Sequence, residues 1–127
     1  VDNVRVYERD PSVVDSNTLT LTVDASCTGS TVNSVAITGP WANNWDSNSV
    51  VAATDNGDGS WSIEMAQPSS DLEYLWVING EYENLISEMQ NGATCAPVTD
   101  YSNYANRLWS VGSANPNDAY NQCPPCP

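Results

Sequence analysis

An all-β antiparallel sandwich is the fold class this chain predicts, on three observations. Apolar residues alternate with polar ones over short runs, the signature of half-buried strands. Turn-forming clusters arrive every ten to fifteen residues. No long segment carries a helical period. With 127 residues, one domain is expected, large enough for a modest core.

The elements follow in order. "TLTLTV" (18–23) puts Leu19, Leu21 and Val23 on one face and threonines on the other. "SVAITG" (34–39) is a second strand, with Val35 and Ile37 inward. "ITGPWANNWD" (37–46) then carries Trp41 and Trp45 among turn formers. "NGDGS" (56–60) is a turn, and "SWSIEM" leaves it with Trp61, Ile63 and Met65 inward. "LEYLWVI" (72–78) is apolar on both faces, as a central strand is. Asn79-Gly80 is a strong two-residue hairpin signal, from which "EYENLIS" departs. "ANRLWSVG" (105–112) reads as the final strand. Trp61 and Trp76 fall on inward registers and belong to the core, whereas Trp109 is assigned to neither core nor surface.

Charge narrows the partners. Sixteen acids stand against three arginines, with no lysine and no histidine, for a net charge of −13. Nucleic acids and anionic membrane surfaces are excluded, because both are bound through cationic side chains. Polyanionic substrates are disfavoured for the same reason. A neutral partner fits, and a monomer is expected. No run approaches a membrane span.

The four cysteines, Cys27, Cys95, Cys123 and Cys126, allow three pairings. A lone Cys-x-x-Cys among terminal prolines suits neither a zinc site nor a thioredoxin-like one. Disulfides in an exported protein are expected. Spacing leaves the pairing open, with a preference for Cys95 joined to one of the terminal pair, where it would clamp the last strand.

Three chemistries compete. Catalysis of glycoside hydrolysis needs two carboxyls about 5–9.5 Å apart. Glu81 and Glu83 share one side of a strand, but any acidic β-protein offers such pairs, and no nucleophile–base pair accompanies them. Metal binding has one candidate, "DNGDG" (55–59), where Asp55 and Asp58 could hold a structural calcium. The same residues make a tight hairpin, so no cofactor is required. Sugar binding rests on aromatics. All eleven are Trp or Tyr and none is Phe, so each ring has a polar handle suited to a half-wet site. Flat rings stack on sugar C–H faces while neighbouring amides and carboxylates bond the hydroxyls. "PWANNWD" and "NGEYEN" have that composition.

Two resemblances bear on this. "VDNVRVY" at residues 1–7 resembles the closing strand of the catalytic domain in glycoside hydrolase family 16, the laminarinase and lichenase family. The resemblance implies that residues 1–15 are a remnant of a catalytic domain plus linker, and that 16–127 form a separate module. The "ExDxxE" string of that family's active site is absent. The order "V-x-I-T-G-x-W-x-x-N-W-D", "W-S-I", "EYLWVINGEYEN", "NRLWSVG" resembles glycogen- and starch-binding modules over about residues 18–112. It is closer still to Cys-tailed modules on polysaccharide-degrading enzymes of marine bacteria. These likenesses imply an immunoglobulin-like sandwich that binds polysaccharide beside a catalytic domain in a secreted chain. They place Trp45 and Tyr82 as stacking platforms and Asn106 as a hydroxyl partner. Asn44 and Glu83 are expected to bond hydroxyls as well. Trp41 is expected either at the rim of the site or as a lid over the core. The family's sugar-binding lysine is Leu75 here, which weakens the transfer of α-glucan specificity. A laminarin-type β-glucan is the favoured ligand, with α-glucan binding or a spacer without glycan affinity as rivals.

Overall fold

The computed structural model describes residues 18–29, 31–46 and 48–124, with Cys27 described in its backbone only. The expectations for residues 1–15 lie outside these, as do Cys126 and the side chain of Cys27. The described residues form an all-β sandwich of two sheets.

Strand β1 (Thr18–Asp24) buries alternate residues, with Leu19, Leu21 and Val23 inaccessible to solvent. A 3-10 turn follows at Ala25–Thr28, and the Asp24 carboxylate caps it by accepting from the Ser26 amide. Next come β2 (Val35–Thr38), β3 (Val51–Ala52), β4 (Thr54–Asp55) and β5 (Ser60–Ala66). β6 (Leu72–Ile78) turns at Asn79-Gly80 into β7 (Glu81–Tyr82). Asn79 and Gly80 both hold positive φ, 53° and 82°, as a type I′ hairpin demands. A single helical turn, α1 (Ile86–Gln90), precedes β8 (Val98–Thr99), β9 (Ala105–Trp109) and β10 (Asn117–Ala119).

The first sheet runs β10-β1-β5-β4. The second runs β3-β2-β6-β9-β8, with β7 also on β6. β1 pairs antiparallel with β5 in a register that sets Leu21 opposite Ile63 and Val23 opposite Trp61. The expected inward set Trp61, Ile63 and Met65 thus shares the core face, although Trp61 and Met65 are partly buried. β6 is the expected central strand, and its Tyr74, Trp76 and Ile78 share the core with Leu19, Leu21 and Val23 of β1 in the other sheet. Trp109 joins them at 3% exposure.

Three details depart from the expectation. The last strand is β10, not the 105–112 run, and it pairs parallel to β1. "EYENLIS" keeps only two strand residues before α1. α1 and the 39–46 loop cover much of the second sheet's outer face. There Leu75, Leu85, Met89, Ala96 and Ala105 form a second apolar cluster, with Trp45, Tyr82 and Cys95 packed on it.

Cys95 pairs with Cys123. This joins the loop after α1 to the segment leaving β10. No described helix is long and apolar enough to cross a membrane.

Candidate functional site

The outer face of β6 carries an open groove of about 560 Å³. That size lies within the range of small-ligand pockets, roughly 300–1,000 Å³. Trp45, Tyr82 and Asn106 all line it, so three residues picked from separate stretches of sequence are brought together. Leu75 forms its floor, and Glu73, Val98 and Tyr104 complete it. A smaller compartment of about 240 Å³ continues past Tyr82 and Tyr104 toward the Asn84 and Asn103 amides. It shares Leu75, Tyr82, Tyr104 and Asn106 with the first. The site is therefore elongated.

Local structure explains each position. Asn43, Asn44 and Trp45 all adopt left-handed φ, 52°, 57° and 68°. Asparagine tolerates that region and a tryptophan rarely does. The run curls the loop back, with the Trp45 amide bonded to the Gly39 carbonyl at 2.9 Å, and delivers the indole to the groove. The Tyr82 hydroxyl donates to the Trp45 carbonyl, tying the two platforms together. Both rings are half-buried, backed on one side by the second apolar cluster.

Asn106 is nearly buried on β9 and donates its Nδ2 to Glu73 Oε2 at 2.7 Å. Period-2 alternation sets Glu73 and Leu75 on one side of β6 while Tyr74 and Trp76 face the core. Tyr104 is presented by a loop built on Asp100. Its Oδ1 accepts from the amides of Ser102, Asn103 and Tyr104. These bonds hold the Asp100 carboxyl well below the usual carboxylate range, with the Asn103 amide the largest contributor.

The remaining expected residues lie elsewhere. Trp41 neither lines the groove nor covers the core. It is 38% exposed and donates Nε1 to the Glu73 carbonyl at 2.8 Å. Gly39 makes that contact possible, since a Cβ there would stand 2.3 Å from the same carbonyl and 2.4 Å from the indole nitrogen. Trp41 thus pins the strand that carries Glu73. Asn44 is exposed in the loop, outside the groove lining.

Glu83 requires a correction. It borders the smaller compartment but is only 3% exposed, and both of its carboxylate oxygens are engaged by the protein. Oε2 accepts from Arg107 Nε and the Trp76 amide, and Oε1 accepts from Arg107 Nη2 and the Asn121 amide. β6 exchanges its partner from β9 to β7 near Trp76, which leaves that amide without a strand partner, and Glu83 fills the gap. Arg107 also bonds Asp118, whose Oδ2 accepts from the Tyr74 hydroxyl and the Trp76 indole. Burial pulls the guanidinium pKa down, but the Glu83 bond and the charges of Glu83 and Asp118 more than offset this, so it stays above its ordinary value.

Asp55 and Asp58 serve their own turn. Asp55 Oδ1 accepts from the Gly57 amide, and Asp58 Oδ1 from the Ser60 amide and hydroxyl. No cluster of three or more His, Cys, Asp or Glu side chains suited to a metal occurs among the described residues. Glu73 and Tyr104 are the functional candidates that sequence reading missed. An acid in a strand apolar on both faces was the available signal for Glu73. No protein-family model matches the chain, and no curated protein matches it significantly.

Proposed function

We propose that this chain is a non-catalytic carbohydrate-binding module that keeps an attached secreted glycoside hydrolase on a neutral β-glucan of the laminarin type. One observation carries the reading: Trp45, Tyr82 and Asn106 converge on a single elongated groove. Two rings backed by apolar packing give stacking surfaces at little entropic cost. The Glu73–Asn106 pair offers an acceptor and a donor for hydroxyls. The groove continues into a second compartment, which suits a chain longer than one sugar.

A module of this kind works by mass action, raising the effective concentration of substrate at its neighbour. The non-catalytic reading is supported by the groove's two carboxylates: Glu73 lines the larger compartment, but Glu83, which borders the smaller one, is held by Arg107, whereas glycosidases use two available carboxyls. The Cys95–Cys123 disulfide fits an oxidising, extracellular setting. Leucine at position 75, where the resembling modules carry a sugar-binding lysine, weakens the case for α-glucan, and the preference for β-glucan rests on the likeness of residues 1–7 to the close of a family-16 catalytic domain.

Affinity electrophoresis of the whole chain against laminarin, lichenan, glycogen and agarose tests this. Retardation by laminarin is expected, and Trp45→Ala should weaken it at least about ten-fold. Retardation by glycogen alone would move the ligand to α-glucan. If no glycan slows the chain, the binding reading fails and a spacer role takes its place.

A further inference from the structure

We propose that Glu73 sets the specificity of the groove, admitting neutral glycans and rejecting anionic ones at short range. This rests on the glycan-binding reading above and names the residue that selects the substrate class. Glu73 is the one charged side chain lining the larger compartment, among Trp45, Leu75, Val98 and two tyrosines. Its place is fixed twice over. Asn106 holds the carboxylate at 2.7 Å, and the Trp41 indole holds the backbone carbonyl at 2.8 Å.

No cation answers it. Arg107, the only basic side chain among the described residues, is buried and bonded to Glu83 and Asp118. An anionic sugar seated here would meet a like charge at contact distance, flanked by apolar walls that screen it less than bulk water does. A neutral sugar meets complementary groups. One hydroxyl can donate to the carboxylate, and its neighbour can accept the second Nδ2 hydrogen of Asn106, the first being given to Glu73. The selection is thus local and separate from the general repulsion of a chain with net charge −13.

The test uses laminarin, lichenan and glycogen, each beside its carboxymethyl derivative, with the whole chain in 0.5 M sodium chloride. At that salt the Debye length falls below about 5 Å, which removes the general field and spares the contact. The unaltered chain should bind the neutral form at least about ten-fold more tightly than the carboxymethyl form. Glu73→Gln should narrow that ratio several-fold while staying folded and still binding the neutral form. Glu64→Gln, on an exposed position of the other sheet, removes the same charge and should leave the ratio unchanged. A ratio that Glu73→Gln does not move, or that Glu64→Gln moves equally, overturns the proposal while glycan binding stands. Binding to no glycan by the unaltered chain overturns the binding reading itself, and this proposal with it.

Discussion

Tyr74 and Trp76 face one side of β6 while Glu73 and Leu75 face the other, and the two sides are built on opposite terms. On the inner side every polar atom of the rings is matched: both donate to Asp118, and Arg107 and Glu83 complete a closed network. On the outer side polar groups are sparse and one face is left open. Neighbouring residues of the same strands thus divide their work. Glu83 follows Tyr82 and Arg107 follows Asn106, so these two groove residues are each anchored by a chain neighbour in the network. Rigidity is made on one side and used on the other.

Removing Arg107 is the strongest way to test that division. Arg107→Met leaves Glu83 and Asp118 buried without their cation, a change that costs about 3–5 kcal/mol when one partner of a buried pair is lost. Urea unfolding measures it. The fraction that remains folded should lose less affinity than Trp45→Ala does, whereas Trp45→Ala should spare most stability. Equal losses of affinity per folded molecule in both variants would break the division.

The disulfide links the two sides, joining a loop of the outer cluster to the segment that follows β10. Cys95 and Cys123 are 28 positions apart. Replacing both by alanine should cost roughly 3–4 kcal/mol through the freed unfolded chain. Because Cys123 is also held by its amide donating to Glu88, the groove should survive in whatever stays folded. Loss of glycan binding at full folding would show that the staple shapes the site directly.

Legibility in the sequence follows the same line. Strands whose partners are set by alternation were readable: β1, β2, β5, β6 and β9, and the Asn79-Gly80 hairpin. The resemblance in order and spacing also singled out Trp45, Tyr82 and Asn106, which the fold brings to one groove. β10 was not, because "NPNDA" has the composition of a loop and becomes a strand only beside β1. α1 is too short to show a period. Glu83 was misread because an acid beside a hairpin is ordinarily solvated. Its burial depends on Arg107, 24 positions away, which no local pattern displays. Tyr104 depended in the same way on how Asp100 folds its loop.

Alkaline titration probes the inner side without mutation. Burial, then the Asp118 charge, raises the Tyr74 pKa well above its usual value. Burial, then the Glu83 charge, pushes Tyr120 up to about 12. The folded state therefore keeps protons that the unfolded chain releases from about pH 10. This contribution is fully present below pH 10 and is lost as pH rises through the folded values. After allowance for screening by solvent, Tyr120 accounts for about 1–2 kcal/mol of it, a tenfold change in proton affinity being worth about 1.4 kcal/mol. The urea midpoint should fall steadily between pH 10 and 12. A flat midpoint would mean that the tyrosines are not held as the network requires.

The smallest effect has the opposite sign and belongs to the outer side. Thr38 stands opposite Leu75 in the β2–β6 register and leads into the loop that carries both tryptophans. It is fully buried, and its Oγ1 has no hydrogen-bond partner among the described residues. A buried hydroxyl without a partner costs about 1–3 kcal/mol of desolvation. Valine keeps the branched shape that suits a strand and discards the hydroxyl. Thr38→Val should therefore stabilise the fold by about 1 kcal/mol, read as a higher urea midpoint at unchanged slope. The matched polar atoms of the inner side offer no such gain, since removing the hydroxyl in Tyr74→Phe strips Asp118 of a partner and should destabilise. If both variants lose stability, Thr38 is satisfied by a bound water, and the outer side is as fully matched as the inner.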